Sequence, residues 1–296
     1  MSRTDRPVGW VPTMAVAGDV ALAPLRAAGW SLRGALSDLP YVDLPAGWHT
    51  ADELGADDGV DAVAVDGADP SLAALLPELR AAGLLLLLPT PAPLDPEAVR
   101  AARAVPDGAD AVVGLVARYE PWARTVAAAL PLAGGPVVQV TVRGWPRGHR
   151  SAAELVDLAA SWCGEVVAVT AAPAPLPAGR LPDGEPVAWA LLTEGGATVL
   201  VSHEGPSRVV RLSFAAARLE AGPGAVRWEA GAAMALPGAY DGLEAAARAL
   251  TGAVGGGDVP ALDWPWPADL SDLLVVARVL EALRTSARTR TLVPVA

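Results

Sequence analysis

Short apolar runs alternate with stretches rich in Ala, Leu and Arg over the first 120 residues. The runs at 61–65 and 84–88 are apolar almost throughout, which is typical of strands that are covered on both faces of a sheet. Alternation of such strands with helices builds βαβ units and a parallel sheet. We therefore predict strands at 8–11, 32–36, 60–65, 84–88 and 111–115, and helices at 21–28, 71–82 and 96–104.

The pattern changes after residue 137. Apolar and polar residues alternate at 137–142, around 188–201 and at 209–215, which predicts antiparallel strands with one solvated or partner-covered face. Pro-rich and Gly-rich segments at 172–186 and 255–267 predict loops. A last amphipathic helix is predicted at 271–284.

Composition excludes several classes of protein. The 33 acidic residues outnumber 22 basic ones, giving a formal net charge of -11, so we expect no nucleic-acid partner. No apolar run approaches the roughly 20 residues of a membrane span, and we expect a cytoplasmic protein without a membrane segment. With a single cysteine, Cys163, and three histidines on separate segments, we expect no metal site. The chain contains no Lys.

Five phrases occur in an order that resembles one oxidoreductase family. They are an Ala/Leu-rich helix at 22–28, VDAVAV at 60–65, the fixed spacing from 65 to 83, VGLVARYEP at 113–121, and VLEALRTSAR at 279–288. Together these resemble the Gfo/Idh/MocA oxidoreductases. The resemblance implies an α/β fold, with a Rossmann-like NAD(P)-binding domain at 1–120. An α+β domain with an open, mostly antiparallel sheet would follow at 121–296, and its sheet would pair two copies as a homodimer.

The cofactor positions depart from the family pattern. A dinucleotide loop requires GxGxxG, for a tight turn, close approach to the pyrophosphate and helix packing. Laid on the family, these positions are Thr13, Ala15 and Gly18. Asp38 stands near the position of a ribose-binding acid, or is a solvated turn residue. Thr90 replaces the lysine of the family's EKP motif, which positions the reacting hydroxyl group against the nicotinamide. Because only Gly18 of the three glycines is kept, NAD(P) binding is possible but doubtful.

A helix beginning near residue 151 resembles the family's catalytic DxGxHxxD helix. Glu154 stands at the position of the His, Asp157 at the last acid, and Arg150 at the first Asp. Two carboxylates three residues apart share a helix face and suit acid–base catalysis. The alternative is an ordinary surface Arg–Glu pair.

Other residues near that helix are also candidates. His149 is a candidate general base or a solvated loop residue. Arg118, which is kept from the family phrase, Arg150 and Trp145 are candidate substrate contacts. Trp145 is one of several Trp residues in loops or at strand ends, with Trp10, Trp264 and Trp266, and a Trp in such a place also anchors a loop to the core.

These patterns leave three hypotheses about function. The first is an oxidoreductase homologue that has lost hydride transfer and acts as a binding, regulatory or partner subunit. The second is an active NAD(P)-dependent oxidoreductase acting on a sugar-like or small carbonyl or hydroxyl substrate. The third is a redox-neutral lyase, isomerase or cyclase that uses Glu154 and Asp157. Three parts of the hydride-transfer machinery are replaced together, which favours the first.

Overall fold

A computed structural model describes residues 11–36, 46–66, 70–90, 95–106, 111–146, 149–172, 188–205, 207–229, 231, 233–237, 242–255 and 268–295. The chain forms two compact units. Unit 1 comprises Met1–Val116 and Tyr240–Leu274, and unit 2 comprises Ala117–Ala239 and Val275–Ala296. Residues 240–274, which the sequence assigned to the second domain, therefore belong to unit 1.

Unit 1 contains a six-stranded parallel sheet among its described residues, in the order β3-β2-β1-β4-β5-β6. Its strands are β1 Thr13–Ala17, β2 Ser31–Leu36, β3 Ala46–Trp48, β4 Ala62–Asp66, β5 Leu85–Thr90 and β6 Ala111–Val113. Its helices are α1 Leu22–Ala27, α2 Ala51–Gly55, α3 Pro70–Ala73, α4 Leu76–Ala81, α5 Pro96–Arg103 and α8 Gly242–Gly255.

The predicted parallel sheet is confirmed, with differences in its elements. The strand predicted at 8–11 lies outside the described residues except for Val11, and the first described strand is β1. The side chains of 14–17 are fully buried, so burial overrides the weak strand preference of alanine. The helix predicted at 71–82 is divided into α3 and α4, because Pro77 at the start of α4 cannot continue a helix. Neither β3 nor α2 was predicted.

The return of the chain to unit 1 places α8 against α1, β5 and β6. The indole nitrogen of Trp30 donates a 3.0 Å hydrogen bond to the carbonyl of Ala247 in α8. Trp30 is 3 % exposed. Helix α8 is therefore part of the covering layer of the first sheet, which explains why the unit is built from two separate stretches of chain.

Unit 2 contains a mixed sheet whose described strands lie in the order β14-β13-β12-β11-β7-β10-β9-β8-β15. Only β7 and β10 pair in parallel among the strand pairs described; the others are antiparallel. The strands are β7 Gln139–Arg143, β8 Val166–Ala172, β9 Ala188–Thr193, β10 Thr198–Ser202, β11 Val209–Ser213, β12 Arg218–Gly222, β13 Ala225–Trp228, β14 Ala233–Met234 and β15 Val293–Pro294.

One face of this second sheet is buried and the other is open. Alternate residues of β7, β10 and β11 are buried, among them Val140, Val199 and Leu212, as expected for a sheet covered on one side. Three longer helices accompany the sheet: α6 Pro121–Ala129, α7 His149–Cys163 and α9 Leu270–Thr289, which begins in unit 1. The predicted α/β fold with a second, mostly antiparallel sheet is thus confirmed.

Candidate functional site

The predicted glycine-loop positions must be corrected. Thr13 and Ala15 lie inside β1, where they pair with β2 and β4, and Ala15 is fully buried. Neither residue is in the loop that follows the strand, so the prediction that they occupy glycine positions of the dinucleotide loop is wrong. Gly18 is the first residue after β1 and has φ +82°, which is the position of the tight turn and not of the last packing glycine.

Gly18 is also required by its surroundings. A Cβ atom at this position would lie 2.6 Å from Cδ1 of Leu72 and 2.8 Å from Cβ of Asp66. Both distances are far shorter than normal van der Waals contact. The close approach of the turn after β1 to the end of β4 therefore depends on the missing side chain.

The remainder of the loop, Asp19, Val20 and Ala21, contains no glycine. The side chain of Val20 is buried, whereas Asp19 is exposed. Ala21 caps α1 without a side-chain hydrogen bond. An exposed carboxylate immediately before a helix opposes the binding of a phosphate group at the same place.

The other two predicted cofactor positions are only partly described. Thr90 is the last residue of β5 and pairs with Asp66, so it stands at the carboxyl end of a central strand; its side chain is outside the described part. Asp38 lies outside the described residues.

A buried ion pair joins two residues of unit 2. Nε of Arg118 donates to Oδ2 of Asp157 at 2.6 Å, and Nη2 donates to Oδ1 at 2.5 Å. Arg118 is 7 % exposed and Asp157 is 3 % exposed. Asp157 was predicted to act as an acid or base with Glu154, and Arg118 to contact substrate. A bidentate pair this buried holds both groups in place, so the geometry favours a structural role for each.

Tyr119 lies next to this pair in the chain. Its hydroxyl is buried and has no hydrogen-bond partner among the described residues. Burial raises the pKa of Tyr119 to about 12, with Arg118 lowering it and Asp157 raising it. The phenol is therefore held neutral at ordinary pH.

A second ion pair joins residues far apart in the sequence. Nη1 of Arg208 lies 2.9 Å from both carboxylate oxygens of Glu120. The guanidinium also lies over the rings of Trp145, at 4.8 Å from the centroid, and Trp122, at 5.9 Å. The indole nitrogen of Trp122 donates to Glu120. Cation–π contacts and the ion pair together fix Arg208 against an apolar surface.

Trp145 is held by its own hydrogen bonds. Its indole nitrogen donates to the carbonyl of Ser151 at 2.7 Å, and Nδ1 of His203 lies 2.9 Å from its carbonyl oxygen. The residue is 2 % exposed and contacts Trp122 edge to face. A buried Trp145 anchors the segment before α7, which supports the structural alternative over direct contact with substrate.

The predicted Arg150–Glu154 pair is present. Nε of Arg150 donates to Oε1 of Glu154 at 3.2 Å, and the Glu154 side chain is only 12 % exposed. Burial raises the pKa of Glu154; Arg150 and Arg208 lower it and Glu120 raises it. Glu154 therefore shares its electrostatic environment with the Glu120–Arg208 pair. Together with Trp122 and Trp145, we call these residues the Arg208 cluster: Glu120, Trp122, Trp145, Arg150, Glu154 and Arg208.

Sequence reasoning identified Trp145, Arg150 and Glu154 but missed three members of the cluster. Glu120 follows Arg118 and Tyr119 in the phrase that resembles the family, which was the one signal for it. Trp122 and Arg208 had no such signal, since Arg208 lies 88 residues from Glu120. His149 is the first residue of α7, and its side chain is outside the described part. Trp10, Trp264 and Trp266 are outside it too.

Neither a metal centre nor a membrane span occurs in the part of the chain that the structure describes. There, no group of three His, Cys, Asp or Glu side chains is placed to hold a metal ion. Among the helices described, none has the length and apolar character needed to cross a membrane.

Comparison of the sequence with family models gives no match. Comparison with curated proteins gives none either. Similarity appears instead at the level of structure. The aldose-aldose oxidoreductase from Caulobacter crescentus, in complex with glycerol, has a TM-score of 0.74 at 19 % identity, covering 96 % of this chain and 100 % of that one.

Two further structures are similar to this chain over nearly its whole length. The WlbA dehydrogenase from Bordetella pertussis, in complex with NADH and UDP-GlcNAcA, has a TM-score of 0.70 at 17 % identity, covering 97 % of this chain and 99 % of that one. A levoglucosan dehydrogenase in complex with NADH and L-sorbose has a TM-score of 0.69 at 15 % identity, covering 96 % and 99 %. The chain therefore has, over nearly its whole length, the fold of the Gfo/Idh/MocA-type oxidoreductases.

Proposed function

We propose that this chain is a binding protein with an oxidoreductase fold, which holds a small sugar-like ligand and does not transfer hydride. The loop after β1 carries the proposal. Its one glycine, Gly18, lies closely against Leu72 and Asp66 of the same unit, which leave no room for a Cβ atom. The exposed Asp19 follows it. A pyrophosphate would meet a carboxylate where it needs backbone N–H groups.

The absence of lysine supports the loss of hydride transfer. The chain has no Lys at any position, so no ammonium group can replace the one that the family places at the position of Thr90. Asp157, one of the residues predicted to carry acid–base chemistry, accepts a hydrogen bond from Arg118 at 2.6 Å. The cofactor loop and the lysine are thus altered, and Glu154 stands at the position of the family's His, while the fold is retained.

The sugar-like ligand is inferred from two sources. Among proteins of similar fold, one is an aldose-aldose oxidoreductase complexed with glycerol, and others are complexed with UDP-GlcNAcA and L-sorbose. In this chain, the Arg208 cluster supplies the charged donors and acceptors that bind hydroxyl groups. We assign the ligand to unit 2 for that reason.

Calorimetric titration with NAD(H) and NADP(H) tests the loss of the cofactor. We expect no binding tighter than about 100 μM, or roughly 5.5 kcal/mol. Saturation-transfer NMR with aldoses, ketoses, polyols and their acids tests the ligand. A transfer signal from at least one compound is expected, and a silent panel would contradict the binding role. Asp19→Asn removes the carboxylate that opposes a pyrophosphate and is expected to strengthen any cofactor binding in the same titration. Asp52→Asn, at an exposed acid of the same unit, is the control and should leave the titration unchanged.

An active NAD(P)-dependent oxidoreductase is the second candidate. The observation in its favour is the strand order β3-β2-β1-β4-β5-β6, which is that of dinucleotide-binding domains. Gly18 at φ +82° after β1 also fits the tight turn such a site requires. Cofactor binding tighter than about 100 μM in the titration above would favour this candidate over the first.

A redox-neutral acid–base reaction is the third candidate. Burial raises the pKa of Glu154, and a second carboxylate, Glu120, is close enough to raise it further. Glu120 replaces Asp157 as the partner acid in this candidate. Under it, Glu154→Gln abolishes turnover of a sugar-like substrate without any nicotinamide present.

The open face of the second sheet supports a homodimer as the mode of assembly. Leu192 and Leu200, on the neighbouring strands β9 and β10, are 40 % and 38 % exposed. A groove of about 550 Å³ on the same unit is lined by Thr141, Arg143 and Arg211 with others. Sedimentation velocity is expected to show a dimer, and Leu200→Glu is expected to shift it to a monomer.

A further inference from the structure

The Arg208 cluster contains an arginine whose hydrogen-bonding capacity is only partly used. Within the described chain, both bonds of Arg208 to Glu120 are made by Nη1. A guanidinium has five N–H donors. Nη2 and Nε therefore remain for another acceptor, and the side chain is 23 % exposed, which gives a ligand access to it.

The surroundings of Arg208 strengthen the attraction of its charge for an anion. One face of the guanidinium lies against Trp145 and Trp122, which are 2 % and 1 % exposed. The buried rings displace water where they cover the guanidinium, so water screens its positive charge less on that side. An anion that reaches the other side meets a fixed, partly desolvated cation.

Glu154 completes the site. It is 12 % exposed and receives a hydrogen bond from Arg150, whose own side chain is 49 % exposed. Among the described residues, the charged groups close enough to shift the pKa of Glu154 are Arg150 on its own helix, Glu120 before α6 and Arg208 before β11. With Glu154 ionised, two cations balance two carboxylates. With Glu154 neutral, the cluster has a net positive charge.

The ligand chemistry follows from this balance. A ligand carboxylate bound to Arg208 would add a third negative charge beside two existing ones. Like charge favours protonation of the carboxyl that is already the most buried. The neutral carboxylic acid then becomes a donor to the ligand.

We propose that the Arg208 cluster binds the carboxylate of a small sugar acid, and that Glu154 takes up a proton when the ligand binds. The proposal rests on the sugar-like ligand of the proposed function and names its chemical class. Arg208 supplies the fork that pairs with the carboxylate, and Arg150 supplies a second cation. The hydroxyl groups of the ligand are bound by Glu154 and by the remaining donors.

The test is calorimetric titration of the full chain with D-gluconate and, as the uncharged counterpart, D-glucitol. Titrations are made at pH 6 and pH 8, and in phosphate and Tris buffers, whose different heats of ionisation report proton uptake. Gluconate is expected to bind with uptake of about one proton, and to weaken by about tenfold per pH unit where Glu154 must be protonated. Glucitol is expected to bind at least about tenfold more weakly than gluconate at pH 6.

Two variants separate the roles of the residues. Arg208→Gln is expected to weaken gluconate binding by about 10- to 100-fold, as loss of a charged hydrogen bond does. Arg218→Gln, in an exposed pair with Glu229, is the matched control and leaves binding unchanged. Glu154→Gln mimics the neutral acid; it is expected to keep gluconate binding at pH 6 and to abolish proton uptake and pH dependence.

Each contrary result has a distinct meaning. Equal binding of glucitol and gluconate overturns the sugar-acid inference and leaves the proposed function standing. Gluconate binding without proton uptake, or loss of binding in Glu154→Gln, overturns the role of Glu154. If neither compound binds and the wider sugar panel is also silent, both the inference and the proposed function fail.

Discussion

Removing the charge of Asp157 should destabilise unit 2 strongly. Asp157→Asn keeps the shape of the side chain but removes the carboxylate that pairs with the guanidinium of Arg118, which is only 7 % exposed. Two hydrogen bonds join the pair, at 2.6 and 2.5 Å, and the amide can accept at most one of them. Breaking one partner of a buried pair costs about 3–5 kcal/mol.

Urea unfolding measures the effect. With a slope of about 2 kcal/mol per molar urea, a loss of 3–5 kcal/mol lowers the midpoint by about 1.5–2.5 M. Tryptophan fluorescence follows the unfolding of both units, since Trp122 and Trp162 pack together in unit 2 and Trp30 lies in unit 1. Glu220→Gln is the control: its pairs with Arg211 and Arg227 are exposed, and such pairs contribute at most about 1 kcal/mol.

A double variant decides whether the buried charge is the cause. Replacing both partners, with Arg118→Met and Asp157→Leu, removes the charges together, and such replacement is often neutral or better. We expect it to recover most of the stability lost in Asp157→Asn. A loss below about 1 kcal/mol in the single variant, or a double variant no more stable than the single, would refute the reasoning.

Three further outcomes are expected. Gly18→Ala should lower the free energy of unfolding by about 1–3 kcal/mol more than Gly83→Ala does. Both glycines have φ near +80°, but only Gly18 has atoms within 3 Å of the added Cβ. Equal losses of stability in urea unfolding would contradict the close contact. Between pH 10 and pH 12 stability should fall, since the pKa of Tyr119 is raised from 10.0 to about 12 and the folded state keeps a proton that the unfolded state has lost. The fall attributable to this residue, about 1 kcal/mol by pH 11, is the difference between wild type and Tyr119→Phe, and identical pH profiles would exclude it. Gly144→Ala should displace the backbone at Ser207, because the carbonyl oxygen of Ser207 lies 2.2 Å from the added Cβ; faster hydrogen exchange at Ser207 and Arg208 is the readout, and unchanged exchange would count against it.

The sequence predicted most reliably the elements whose pattern is local. The run at 84–88 is apolar throughout, and residues 85–88 form most of β5 and are buried. β1 was not predicted, because the run at 8–11 contains Val and Trp, which favour strands, whereas 13–17 is rich in Ala. Residues 13–17 form a strand because β1 is buried between β2 and β4, and this burial depends on the whole sheet and not on the local sequence.

The candidate site divides in the same way. Arg150 and Glu154 are four residues apart on one helix, so their contact follows from helical spacing alone. Arg118 and Asp157 are 39 residues apart, and Glu120 and Arg208 are 88 apart. Only the completed sheet and its helices bring these pairs together, which is why Asp157 was predicted as a catalytic acid and Arg208 was not predicted at all.

The hydrogen bond between Trp30 and Ala247 joins residues 217 positions apart. A ribosome that has released the first 116 residues has therefore released a sheet without helix α8, which covers part of it next to α1, β5 and β6. Folding of unit 1 during synthesis must wait for nearly the whole of unit 2 to emerge. A shortened chain ending before residue 240 would expose the apolar surface normally beneath α8, and would be expected to depend on chaperones that recognise such surfaces.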